Sequence, residues 1–166
     1  MQKCILPPLY DRNYDHDACG VGFIASLNRE ASHKIIEMSL EAVLNLTHRG
    51  AVGGDANTGD GAGILFEKPH EFFIKNIIEL KSFSFDDYGV AQVFFPNNEK
   101  AVTECLNVIE KCVKEEGLSI VSIRSVPTND ATLGMLAKKS QPIIKQIFVT
   151  KDKKPLTETR LYILRR

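Results

Sequence analysis

Residues 15–25 read Asp15-His16-Asp17-Ala18-Cys19-Gly20-Val21-Gly22-Phe23-Ile24-Ala25. Cys19 stands where two kinds of sequence meet. Before it, residues 1–18 are polar and aperiodic, with Pro7 and Pro8 in the middle. After it, residues 20–27 form a short apolar run in which two closely spaced glycines weigh against a helix. The prediction is an extended leader followed by a buried strand. Taken by position alone, Cys19 is an ordinary small buried residue opening that strand. A second chemistry is also open to it. Cleavage after Ala18 would make Cys19 the N-terminus, with a free α-amino group of reference pKa about 7.7–8.0. One residue would then carry both a nucleophile and its base, and a thiol so placed can attack a carboxamide through a thioester.

Outward from this point the chain alternates helical and strand patterns. Ser32 precedes a stripe of Ile35, Ile36, Met38, Leu40, Val43, Leu44 and Leu46, which predicts a capped helix to about Thr47. Residues 48–63 hold six glycines and form a loop. Residues 64–66 are read as a strand, and Pro69 opens a short helix to Leu80. Residues 88–95 (YGVAQVFF) are a strand ended by Pro96. Asn97 or Asn98 caps a helix that Gly117 terminates. Residues 118–126 and 143–149 are strands, 131–140 a short helix, and 161–164 a final strand. With no clean βαβ rhythm, the class is α+β in layers.

The 166 residues suffice for one domain. Lys plus Arg and Asp plus Glu both number 21, so a net charge of zero gives no electrostatic pull toward nucleic acid or an anionic membrane. No apolar run approaches a membrane span. The first 18 residues lack a signal-peptide pattern, which points to the cytoplasm. Cys4, Cys19, Cys105 and Cys112 show none of the close spacings that hold zinc. Cys105 and Cys112 lie seven apart on one predicted helix face and read as small apolar residues, with a metal or redox pair as the alternative. His16, His33, His48 and His70 have no partner at metal spacing and read as bystanders. The TGDGAG of residues 58–63 lacks the lysine and hydroxyl of a phosphate loop. It reads instead as a tight loop that brings backbone near the nucleophile strand, with Asp60 bracing it through backbone amides.

Several segments carry a family resemblance together. DHDACGVGFIA (15–25), LTHRGA (46–51) and TGDGAGILFEKP (58–69) are similar to the opening of class II glutamine amidotransferase domains. VPTNDATLG (126–134), QPIIKQIFV (141–149) and ETRLYILRR (158–166) resemble the glutamate synthase branch. The likeness covers residues 10–166. It implies a four-layer αββα N-terminal-nucleophile hydrolase fold, of which this chain is expected to be the first half. It implies a leader, residues 1–18, removed after Ala18, and an amidotransferase portion over 19–166. Cys19 would be nucleophile and, through its freed amino group, base. Arg49 would sit beside it, with Gly20 supporting the site and Gly50, Asp60 and Gly61 on a loop nearby. An arginine there favours thiolate; the alternative for Arg49 is a helix-end cation answering C-terminal carbonyls.

The implied activity is hydrolysis of L-glutamine, with ammonia passed to remaining synthase domains or subunits and 2-oxoglutarate. No metal or cofactor is expected in this segment. The full family enzyme implies flavin mononucleotide, an iron–sulfur cluster, and NAD(P)H or ferredoxin. Two motifs usual for the family, an arginine segment holding the glutamine carboxylate and an asparagine-glycine segment forming the oxyanion hole, do not occur in these residues. Loss of an oxyanion donor costs roughly 100- to 1,000-fold in other hydrolases. The 166 residues alone are therefore expected to be nearly inactive. The alternative function is a non-catalytic remnant or interaction module that binds a synthase subunit. Amidotransfer to a sugar phosphate or nucleotide precursor is a further reading, disfavoured by the segments after residue 125.

Overall fold

The computed structural model describes residues 20–28, 30–50, 54–55, 57–153 and 155–166. The chain divides into two compact units, Met1–Phe66 and Glu67–Arg166.

In the first unit, helix α1 runs His33–Asn45. Ser32, in extended conformation, accepts a hydrogen bond from the Lys34 amide and so satisfies one orphan N–H of the first turn. The half-buried positions are Ile35, Ile36, Ser39, Ala42, Val43 and Leu46, one stripe at helical spacing. Met38, Leu40 and Leu44, expected in that stripe, are exposed. They fall about a third of a turn off it. Residues 20–26 form no regular strand, contrary to expectation, and neither do 64–66. A strand is held by its ladder partner, and among the described residues every strand belongs to the second unit. Val21 and Phe23 are accordingly exposed.

The second unit is a three-stranded antiparallel sheet with helices on both faces. Helix α2 spans His70–Asn76, followed by a 3₁₀ turn at Ile78–Leu80. Strand β1 is Tyr88–Phe95, α3 is Glu99–Glu115, β2 is Leu118–Ser125, α4 is Met135–Ser140, β3 is Ile143–Lys151 and α5 is Glu158–Arg165. The strand order is β1-β3-β2. Register pairs Tyr88 with Thr150 and Phe95 with Ile143, and Leu118 with Lys151. A bulge between Ile120 and Ser122 shifts the second pairing.

Period-2 alternation sends the strands' apolar residues into two cores. On one face, Phe95, Ile147, Val149 and Leu118 pack with Val102 and Val113 of α3. Cys105, half-buried, joins this cluster as a small apolar residue. On the other face, Tyr88 and Phe148 pack with Phe73, Ile77 and Leu80. Phe148 is fully buried and meets Phe73 edge-on at 5.0 Å. Each such burial contributes about 1.5–3 kcal/mol. Helix α3 starts at Asn98, whose Oδ1 accepts from the amides of Lys100 and Ala101. It ends before Gly117, which adopts φ 70°, the left-handed conformation favoured by glycine.

The strand expected over residues 161–164 is instead helix α5. Thr157 caps it, accepting from the Arg160 amide at 3.2 Å, with Glu158 in the first turn. Leu161 and Leu164, one helical turn apart, reach the first core. Arg160 ties α5 to the end of α3: its guanidinium donates to the Glu116 carbonyl at 3.1 Å and lies 3.6 Å from the Glu116 carboxylate.

Candidate functional site

Cys19 and Ala18 lie outside the described residues, as does the side chain of Arg49. The neighbours of both are described, and they meet. An ideal Cβ built on Gly20 would stand 3.0 Å from Leu46 Cδ2, 3.4 Å from Cδ1 and 3.5 Å from Cγ. The branched end of Leu46 thus lies beside the residue after Cys19, which is otherwise exposed. Glycine is what permits this approach.

Leu46 is the C-cap of α1, and the next three residues, Thr47–Arg49, form a 3₁₀ turn. Local hydrogen bonds close this helix end. The Leu46 amide donates to the carbonyls of Ala42 and Val43, each at 3.1 Å. Thr47 Oγ1 donates to the Leu44 carbonyl at 2.5 Å, and His48 Nδ1 lies 2.9 Å from the Asn45 carbonyl oxygen. The Gly50 amide donates to the Thr47 carbonyl. Thr47 and His48 answer the Leu44 and Asn45 carbonyls at the helix end. His48 thus caps the end of α1.

The glycine-rich loop behaves differently at each position. Gly50 is extended (φ −85°, ψ 149°), and an added Cβ would sit at ordinary contact distance from the Thr47 carbonyl. At Gly61, an added Cβ would meet nothing within 4 Å. Gly54 and Gly63 are likewise open to an added Cβ. Asp60 is exposed on the same loop. The carboxylate bracing the neighbouring turn is Asp55, which accepts from the Thr58 amide at 2.8 Å and the Thr58 hydroxyl at 2.7 Å. An aspartate three residues before a threonine carries that turn signal in sequence. The role of Leu46 has no such signal, since an apolar residue at a helix end reads as core.

The second unit contains a cavity of about 400 Å³ lined by Lys68, Phe85, Tyr88, Leu156, Glu158 and Leu161, among others. Lys68 Nζ donates to the carbonyls of Phe85 and Tyr88 and lies over both aromatic rings, 4.3 and 4.0 Å from their centroids. Burial lowers its pKa from the usual 10.5, against partial support from Asp86, Glu158 and Asp87. His70 Nδ1 lies 3.0 Å from the Tyr88 hydroxyl. The cavity walls hold no cysteine, serine or histidine. Lys68 is a brace for the turn entering β1. Among the described residues, no group of three His, Cys, Asp or Glu could hold a metal ion. No helix among them is long and apolar enough to cross a membrane.

Comparison with known proteins gives one family and a consistent set of relatives. The family model of class-II glutamine amidotransferases matches residues 19–166. The chain is 39% identical over 173 aligned residues to "Glutamate synthase [NADH]" of Saccharomyces cerevisiae, covering 95% of the chain and 8% of that protein. It is 35% identical over 163 residues to "Glutamate synthase [NADPH] large chain" of Bacillus subtilis, covering 95% and 11%. It is 38% identical over 156 residues to "Ferredoxin-dependent glutamate synthase" of Pyropia yezoensis, covering 92% and 10%. The chain thus spans about a tenth of the length of these relatives.

Proposed function

Because the chain belongs to the class-II glutamine amidotransferases, we propose that it hydrolyses L-glutamine with Cys19 as nucleophile and serves a glutamate synthase. The observation that carries this reading is where the family match begins: at Cys19, the first residue after the leader. The leader would be cut after Ala18. The freed α-amino group then takes the thiol proton, directly or through one water. Sulfur bonds to the carboxamide carbon, the C–N bond breaks, and ammonia leaves with the transferred proton. Water adds to the thioester, the C–S bond breaks, and glutamate and the thiol are regenerated.

The described geometry supports this assignment at one point: Leu46, three residues before Arg49, lies beside Gly20, the residue after Cys19. Arg49 would favour thiolate and orient acceptor groups in fixed geometry. Gly50, Asp60 and Gly61 are proposed as the loop beside the site. The fold proposed for the domain is the four-layer αββα arrangement, with the β1-β3-β2 sheet as part of one layer.

In the whole protein, the ammonia would be passed to further domains or subunits and combined with 2-oxoglutarate. The relatives' names specify NADH, NADPH or ferredoxin. An iron–sulfur cluster needs several thiolates brought together. The two described cysteines here are half-buried, seven apart on α3, with Cys105 in the core. They do not fit such a cluster, and no step of the proposed chemistry runs through one in this chain. The test is glutamine hydrolysis by the full-length protein and by Cys19→Ala. The expected result is loss of hydrolysis in the variant. Undiminished turnover in Cys19→Ala would remove Cys19 as nucleophile, and a leader retained in a protein that does not hydrolyse glutamine would favour a non-catalytic interaction module.

A further inference from the structure

We propose that the open edge of strand β1 pairs antiparallel with β1 of a second copy of this chain, about a two-fold axis at Gln92. The inference draws on the second unit alone and is independent of the chemistry assigned to Cys19.

The two edges of the sheet differ. Among the described residues, β1 and β2 each pair with β3 only. Strand β2 carries devices that protect an edge, a bulge between Ile120 and Ser122 and the charged Arg124. Strand β1, YGVAQVFF, has no charge and no proline, and its register against β3 is unbroken. Ala91, Gln92 and Phe94 are exposed, Phe94 to 62%. A long uncharged edge is a template for another strand. Two copies meet on it without like-charge repulsion.

Backbone parity selects the register. The Val126 amide donates to the Ile144 carbonyl, so even-numbered residues of β3 serve the β2 side. Odd-numbered β3 residues then serve β1, where they stand opposite Gly89, Ala91, Val93 and Phe95. The even residues of β1 therefore turn N–H and C=O outward. The Tyr88 carbonyl agrees, since it accepts from Lys68 Nζ at 2.6 Å. A two-fold normal to the sheet keeps each face continuous and sets outward groups against outward groups. Centring the axis on Gln92 pairs Gln92 with Gln92 and Phe94 with Val90. Moving it to Ala91 calls on the Tyr88 carbonyl, which Lys68 holds. Moving it to Val93 calls on an N–H at Pro96, which proline lacks.

The side chains fit the same register. Arg124 donates to Gln146 Oε1 at 2.6 Å, and Gln146 Nε2 donates to Gln92 Oε1 at 3.2 Å. This ladder crosses all three strands and ends on the carboxamide of Gln92. At the two-fold, Nε2 of each Gln92 donates to Oε1 of the other, and the ladder continues into the second sheet. Phe94, on the same face, packs against Val90 of the other copy, a residue at the margin of the second core.

The test uses the full-length protein as wild type, Gln92→Lys and Gln92→Thr. Sedimentation over a concentration series reads the mass. Hydrogen exchange at low and high concentration reads the amides of Val90, Gln92 and Phe94, and thermal unfolding checks the fold. Wild type should pass from monomer to dimer as concentration rises, with those three amides gaining protection. Gln92→Lys sets like charges face to face and should weaken association about tenfold or more while the fold is kept. Gln92→Thr keeps a strand former and should associate as wild type does. Gln92→Cys should form a disulfide between copies, because bonded antiparallel partners have Cα atoms about 5.5 Å apart. Ser125→Cys on β2 should not. A wild type that stays monomeric at every concentration overturns the proposal. So does association that Gln92→Lys leaves unchanged. Protection of the three amides that does not depend on concentration also overturns it, because a strand of the same polypeptide would then hold the edge.

Discussion

An ideal Cβ on Gly89 of β1 would stand 2.8 Å from Cδ2 of Leu161 on α5, closer than real Cβ atoms approach such neighbours. The missing side chain at Gly89 is what lets α5 lie against the sheet. Gly89→Val should push the helix off β1 or force Leu161 from its rotamer. The expected cost is about 1–3 kcal/mol, the usual range for overpacking. Urea unfolding of the variant measures it. Gly89→Val combined with Leu161→Ala should lose less than the sum of the two single changes.

The same helix depends on its cap. Thr157 accepts from the Arg160 amide, and Thr157→Ala removes that acceptor. A loss of about 1 kcal/mol is expected. Thr157→Ser should retain most of the stability, and equal losses for both would mean that the hydroxyl contact is not what starts α5.

Lys68 predicts a pH dependence. Burial lowers its pKa in the folded protein from the usual 10.5. Between that lowered value and 10.5 the unfolded chain binds more protons at this group than the folded one, so its contribution to stability rises with pH. Tyr88, whose hydroxyl is pushed above 10.0 by burial, acts in the opposite sense above pH 10. Urea midpoints of wild type and Lys68→Met, taken below pH 10, should therefore diverge as pH rises toward 10, with wild type gaining. A constant or narrowing difference contradicts the assigned cause.

Much of the second unit was legible in the sequence because its signals were local and agreed with one another. Residues 88–95 are rich in strand formers and stop at Pro96, and β1 occupies the same span. Asn98 and Gly117 bracket α3 as cap and left-handed stop. The errors have physical origins. Residues 161–164 contain strand formers, but Thr157-Glu158 is a helix start, and Leu161 and Leu164 are spaced for a helix face. The strand reading of a four-residue run lost to the cap. Residues 20–27 have strand composition, yet a strand requires a neighbour, which composition does not report. At the candidate site, the chemistry of Cys19 and Arg49 was read from motif and resemblance. The contact between Gly20 and Leu46 was not, because it joins residues 26 positions apart whose types suggest only a loop and a core.

Arg49 carries the next prediction. Arg49→Lys keeps the charge and loses the planar fork that holds acceptor groups in fixed geometry. In the full-length protein it should lower kcat/KM for glutamine on the order of 100-fold, the scale of removing one preorganised donor. Unfolding stability should change little, because lysine keeps the positive charge and most of the aliphatic stem. A stability loss with intact kinetics would assign Arg49 to the helix end instead.

The most direct measurement is the mass and N-terminal sequence of the mature polypeptide, taken on the same sample in which glutamine hydrolysis is assayed. The account predicts a chain that begins with Cys19 and hydrolyses glutamine. Hydrolysis by a chain in which Ala18 is still bonded to Cys19 would contradict it, since the base proposed for the reaction would not then exist.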